Sequence, residues 1–305
     1  MVSDIMNDKQ KGGLIALCGV TILSFDSLLV KLVDTSEWNL IFWRGTLLSL
    51  TLILMNYAKL KMSANSSSNK RINLSPLIVI GGFAFAASSS FFVLALNNTQ
   101  VTSALVIFNT APFFAALVAF VFLKEKLPFH TLIAIAVAIV GVGVIFDYAP
   151  AGTGGVTGDL YAIVAAISFA IYLVILRSNQ GENSSRFLIV GGLTMSIVGL
   201  VNGANPMAIE GLPILYMGVL GCIVVPVSGL CIAKSTQYLP AAQTGLILLL
   251  EILLGPFFVY IVLKEQPSIE NMLGGGLVLI TLLAHTLWDS YSIAKHPSII
   301  SDIAS

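Results

Sequence analysis

The chain has 305 residues, of which 57% are hydrophobic and only 10% charged, and its formal net charge is zero. A soluble domain carries about 25% charged residues, so a water-soluble globular protein is excluded, and the lack of a basic excess argues against nucleic acid as a partner. The apolar residues are gathered into long blocks, the pattern of an all-α protein that crosses a membrane many times.

A bilayer core of about 30 Å needs roughly 20 apolar residues per helix. Ten spans meet that rule, near residues 12–33, 38–57, 74–96, 101–123, 129–147, 159–177, 186–203, 212–233, 241–263 and 270–288. The first follows Lys9 and Lys11, as the core of a signal peptide would. It is too long for one, lacks a small-residue cleavage site and leads into more spans, so it reads as a retained helix. Asp26 falls well inside it, and Arg44 falls inside the second span. Residues 59–73, rich in Ser, Asn and Lys, read as a solvated loop. The third span carries Ser88, Ser89 and Ser90, the fourth Asn109 and Pro112, and the fifth Gly141 and Gly143. A Pro-, Gly- and Thr-rich stretch at 149–158 leads to the sixth, which holds Tyr172. Pro226 lies in the eighth span, Gln243, Glu251 and Pro256 in the ninth, and Gly274, Gly275, Gly276 and His285 in the tenth. Prolines inside spans predict kinks, and the glycines predict close helix packing. Cys18, Cys222 and Cys231 all fall in apolar runs without metal-like spacing and are expected to be buried free thiols.

The chain repeats itself. An apolar run ends at Leu123-Lys124-Glu125 and another at Leu263-Lys264-Glu265; a proline follows each (Pro128, Pro267), then one more apolar run. The repeats are 12–148 and 157–289, with five spans in each and one transport domain between them. Because five is odd, the second copy must be inserted upside down. Opposed halves that rock around a shared site are the architecture of secondary transporters. The expected fold is therefore ten transmembrane helices in two inverted five-helix repeats.

Charge sets the orientation. With the N-terminus in the cytoplasm, twelve of the fifteen Lys and Arg residues fall inside; only Lys31 and Lys264 fall outside, and Arg44 is within a span. This positive-inside bias puts both termini in the cytoplasm. Trp38 and Trp288 are placed at opposite interfaces, where indoles anchor well.

Several segments resemble one family. They are Phe42-Trp43-Arg44 in the second span, Ala95-Leu96 through Ser103-Ala104, Pro112 through Leu123-Lys124-Glu125-Lys126-Leu127, and Leu250-Glu251 through Pro256 to Leu263-Lys264-Glu265. In this order they are similar to the drug/metabolite transporter superfamily of the EamA type, over about residues 12–288. The resemblance implies two inverted five-helix repeats and transport of small organic solutes, often amino acids or other metabolites. The chain departs from the family pattern in having Lys124 and Lys264 where Gly is frequent, and Ile252 where Pro often follows the glutamate.

Charges within hydrocarbon cost about 3 kcal/mol or more at a helix centre, so each needs a reason. Arg44 can clamp a carboxylate through its planar fork, while Asp26 or Glu251 can meet an ammonium or carry a proton. Equally, Asp26 and Arg44 can form a salt bridge that pins the first two helices, and Glu251 can be a structural carboxyl. Ser89, Asn109 and Tyr172 complete the expected solute site, and His285 joins Asp26 and Glu251 as a candidate for proton coupling. No His-Glu-x-x-His motif, glycine-rich phosphate loop or nucleophile elbow occurs. The reading is of a non-enzyme with no catalytic residue, metal or cofactor, whose partners are a small solute and the lipid bilayer, acting as a monomer or weak homodimer. Cavity groups of both signs point to an amino acid-like or zwitterionic cargo moved across the cytoplasmic membrane; the resemblance implies export, and proton coupling through Glu251 or Asp26 is the accompanying expectation. A phosphorylated or nucleotide cargo would need more cations than Arg44 alone, and a membrane scaffold or sensor would let the buried charges pair off and leave no cavity.

Overall fold

In the computed structural model the described residues are 2–62, 75–122, 124, 129–147, 155–178, 184–235, 238 and 247–295. Every regular element among them is a helix. In hydrocarbon no water can satisfy backbone N–H and C=O groups, and a helix satisfies them within itself.

Span 1 is Val2–Leu23 followed by Asp26–Leu32, span 2 is Glu37–Met62, and span 3 is Pro76–Asn98. Span 4 is Val101–Phe108 followed by Ala111–Phe122, span 5 is Phe129–Asp147, span 6 is Gly155–Ser178, and span 7 is Ser184–Val201. Span 8 runs through Leu212–Val219, Leu220–Val224 and Val225–Ser235, span 9 is Leu250–Leu263, and span 10 is Ile269–Lys295. Seven of these are long and apolar enough to cross a bilayer, and the shorter apolar helices Phe129–Ile145, Leu250–Leu263 and Asn271–His285 bring the number to ten among the described residues. Span 6 begins at Gly155, earlier than its composition predicts, because Gly158 is a packing residue: a Cβ there would lie 2.5 Å from the Asn98 carbonyl carbon. Most of the predicted 59–73 loop and Gln243 lie outside the described residues.

The packing has two-fold symmetry. Span 3 lies along span 6 and span 8 along span 1, while span 2 packs on span 7 and span 5 on span 10. Exchanging the first five spans for the last five turns the 3–6 pair into 8–1 and maps the other two pairs onto themselves. With five spans per half, the axis relating them lies in the membrane plane, so the repeats are inverted. The same exchange relates Lys124 (φ 55°) and Lys264 (φ 59°), the two non-glycine residues in left-handed backbone among the described residues. Lys264 caps span 9, its N–H bonded to Tyr260 O at 3.0 Å. A residue without Cβ avoids the steric penalty of that conformation, which accounts for the frequent glycine at these positions in the family the sequence resembles.

Glycines set the closest crossings. A Cβ on Gly45 of span 2 would collide with Gly192 O and lie 2.6 Å from Met195 Cβ of span 7, and Gly141 and Gly274 meet in the same way between spans 5 and 10. Gly143 and Gly276, predicted to pack, instead face open space. Gly45→Val is therefore expected to destabilise the protein by about 1–3 kcal/mol through overpacking, whereas Gly143→Ala should gain up to about 1 kcal/mol from helix propensity. Thermal melts of the two variants in detergent, read by circular dichroism, check both signs. The cysteines also correct an expectation: Cys18 is exposed, and Cys222 and Cys231 are only partly covered. An apolar run in a membrane protein has a lipid-facing side, so hydrophobicity alone does not place a side chain inside.

The helix interruptions differ from simple proline kinks. Pro112 sits in the first turn of Ala111–Phe122, where its missing N–H costs nothing, and span 4 breaks before it, at Asn109 and Thr110. Pro226 is the second residue after a π turn, Leu220–Val224, the kind of bulge at which helices bend. Pro256 lies within Leu250–Leu263. Span 1 breaks with no proline at all: Ser24 Oγ donates to Val20 O at 2.8 Å, the Phe25 N–H turns back to Ile22 O at 3.2 Å, and a new helix starts at Asp26.

Candidate functional site

The break in span 1 places Asp26 in the first turn of a new helix, in the bundle interior. Arg44 reaches it from span 2: Nη1 donates to Asp26 Oδ1 at 2.7 Å and Nη2 to Oδ2 at 3.1 Å. The Arg44 Nε donates to Ser89 Oγ of span 3 at 3.1 Å. Asp26 is 2% exposed, Arg44 5% and Ser89 7%, so this is a fully desolvated fork-to-fork pair with a third anchor. Charged partners in that geometry make hydrogen bonds about twice as strong as neutral ones, and they work against the cost of stripping both ions of water.

Glu251 is also buried, one residue into Leu250–Leu263 of span 9. It interacts electrostatically with both Asp26 and Arg44, but no side chain hydrogen-bonds it among the described residues. This cluster therefore holds two carboxyl groups and one guanidinium among the described residues, and Asp26 takes the better geometry. Beside them Ser27 Oγ is buried without a hydrogen-bond partner among the described residues, against span 9 near Gly255.

The other expected site residues make contacts of their own. Asn109 caps the first half of span 4 and donates Nδ2 to Leu105 O at 2.9 Å, so its amide serves the break in its own helix. Tyr172 lies in an aromatic cluster, with ring centroids 5.4 Å from Phe85 and 5.9 Å from Phe169. His285 shares a 2.9 Å hydrogen bond with Thr131 Oγ1 and stands edge-on to Phe113, joining spans 5 and 10 away from the charged trio.

Sequence reasoning missed a polar network at the ends of spans 3, 4, 9 and 10. Gln100 Oε1 accepts from Asn271 Nδ2 at 2.6 Å and from the Ser268 N–H at 3.3 Å, and Ser103 Oγ donates to Asn271 Oδ1 at 2.9 Å. The Val101 N–H donates to Glu265 Oε1 at 3.2 Å. Nearby, Thr99 Oγ1 donates to the buried Asp159 of span 6 at 2.8 Å. These residues lie at span ends, where polar side chains read as ordinary loop chemistry, and no sequence signal marks their pairing across the two repeats.

Comparison with known proteins agrees with the architecture. The EamA-like transporter family matches residues 10–147 and again residues 156–286, once for each repeat. The chain is 26% identical over 243 residues to an uncharacterized transporter of Clostridium kluyveri, covering 73% of each chain. It is 24% identical over 212 residues to an uncharacterized transporter of Methanothermobacter thermautotrophicus, covering 65% of this chain and 60% of that relative. A solved crystal structure with 16% identity superposes with a TM-score of 0.65 over 91% of this chain and 96% of the other, a likeness of fold. The chain belongs to the EamA-like transporter family.

Proposed function

We propose that this transporter moves a small amino acid-like or zwitterionic metabolite across the cytoplasmic membrane by alternating access, with repeats 12–148 and 157–289 forming one transport domain and both termini in the cytoplasm. The observation that carries the reading is Glu251: a buried carboxyl without a hydrogen-bond partner among the described residues, beside the Asp26–Arg44 pair, where the first turn of Leu250–Leu263 meets the break in span 1. A solute with its own ammonium and carboxylate can be held by exchange with these groups, the carboxylate drawing on the Arg44 fork and the ammonium on Glu251 or Asp26. Ser89 holds the guanidinium in place during that exchange. Direction is export, coupled to protons carried by Glu251 or Asp26, with His285 as a relay towards the cytoplasm. The Gln100–Asn271–Ser103 network closes one end of the bundle, where alternating access requires contacts that make and break.

The Asp26–Arg44 pair is also what a purely structural pin would look like. A thermal-shift screen of the purified protein against a metabolite library separates the readings, because a ligand stabilises the state it binds by mass action. Zwitterionic hits are expected, and they should vanish in Arg44→Gln but survive in weakened form in Glu251→Gln, which keeps a polar side chain of the same size. Zwitterionic hits that persist in Arg44→Gln, or hits confined to polyanions, would overturn the assignment.

A further inference from the structure

A cavity of about 560 Å³ lies between spans 2, 3, 6 and 7, and none of its lining comes from spans 1, 4, 8 or 9. It is therefore distinct from the Asp26–Arg44–Glu251 cluster, none of whose side chains lines it. The volume falls in the range of small-molecule sites, about 300–1,000 Å³. Its walls carry the rings of Trp38, Phe91 and Tyr161, with Phe91 and Tyr161 5.8 Å apart and tilted at 41°. Among the lining residues the one charged side chain is Glu37, in the first turn of span 2. Asn98 Nδ2 donates to its Oε1 at 2.6 Å, and no other hydrogen bond is made to the carboxyl among the described residues. The carboxylate is thus oriented from outside the cavity and keeps an oxygen for a guest.

We propose that this cavity is a second ligand site, which takes an organic ammonium ion with an apolar body. Three features fit that chemistry together. Aromatic faces attract cations through their quadrupoles, most strongly where water is excluded. A single fixed carboxylate neutralises one positive charge and repels anions. The remaining lining, including Ala86, Ala87, Leu94 and Val198, is apolar and suits a hydrocarbon body. A carboxylate guest would face Glu37 with no cation in the cavity, and a neutral apolar guest would leave Glu37 without a partner.

The test is equilibrium binding of tritiated benzyltrimethylammonium to the full chain in phosphatidylglycerol nanodiscs, which contain no lipid ammonium. One saturable site is expected. Glu37→Gln keeps the acceptor for Asn98 and should weaken binding about tenfold or more by removing the charge; Trp38→Leu should weaken it less. Neopentylbenzene, the uncharged isostere of the probe, should not compete, and Glu251→Gln should bind the probe as the parent does. Phosphatidylethanolamine added to the discs distinguishes the sources: displacement assigns the ammonium to a lipid headgroup, and unchanged binding assigns it to a soluble amine. Equal binding in Glu37→Gln, displacement by neopentylbenzene, or loss in Glu251→Gln with retention in Glu37→Gln would each overturn the proposal.

Discussion

Asp26→Ala is expected to lower the stability of the protein by about 3–5 kcal/mol, the cost of stranding one member of a buried ion pair. Arg44 is 5% exposed and three of its donors are taken up by Asp26 Oδ1, Asp26 Oδ2 and Ser89 Oγ. A guanidinium cannot shed its charge, so without the carboxylate a full positive charge remains among apolar helices. Arg44→Leu should cost less, since a carboxyl has a neutral form open to it and a guanidinium does not. The double variant Asp26→Ala/Arg44→Leu should recover most of the loss, because an apolar replacement of both partners leaves nothing unpaired. Circular-dichroism melts in detergent provide the cycle. Additive losses in the double variant would mean that the two residues act separately and that the fork geometry contributes no coupling.

That pair was half legible in the sequence. Two opposite charges on consecutive spans invite a salt bridge, and the spacing alone left open whether they meet each other or a solute. Ser89 was expected in the site as a solute contact; its bond to the Arg44 Nε was not readable, because the neighbouring helix decides what a serine on a helix meets. The ten spans and the inverted repeat were readable because hydrocarbon thickness fixes span length and the Leu-Lys-Glu motif marks the same place twice, with Lys124 and Lys264 sharing a left-handed backbone. The break in span 1 was not readable. It depends on Ser24 bonding back to Val20 O, a local choice that a continuous helix would also permit, and it is this break that turns Asp26 from a mid-helix charge into a first-turn residue. The setting of Tyr172 was not readable either: its ring is held by Phe169 of its own span and by Phe85 of span 3, a neighbour that only the fold supplies. The Gln100–Asn271–Ser103 network joins residues far apart in sequence that only the folded repeats bring together.

Glu251→Gln is expected to abolish accumulation driven by a pH gradient while leaving solute exchange intact. In proteoliposomes holding the solute found by the thermal-shift screen, the variant should fall to the level of protein-free vesicles when only a proton gradient is applied. It should still exchange labelled for unlabelled solute when no gradient is present. The reason lies in the division of labour among the buried charges. Asp26 is committed to Arg44 through both of its oxygens, so a change in its charge breaks the strongest contact in the interior. Glu251 has no such commitment among the described residues, yet it interacts with both members of the pair. A proton arriving at Glu251 removes a negative charge that competes for Arg44, and a proton leaving restores it. Either event changes how tightly the Asp26–Arg44 fork is closed without breaking a hydrogen bond of Glu251 itself. Coupling requires such a group, one whose protonation biases two arrangements of the same site. Glutamine keeps the size and polarity of the side chain and removes only the titration. If Glu251→Gln still accumulates solute on a pH gradient, the proton is carried elsewhere, and Asp26→Asn becomes the informative variant. If exchange is lost together with accumulation, Glu251 holds the solute directly, and coupling and binding reside in one carboxyl.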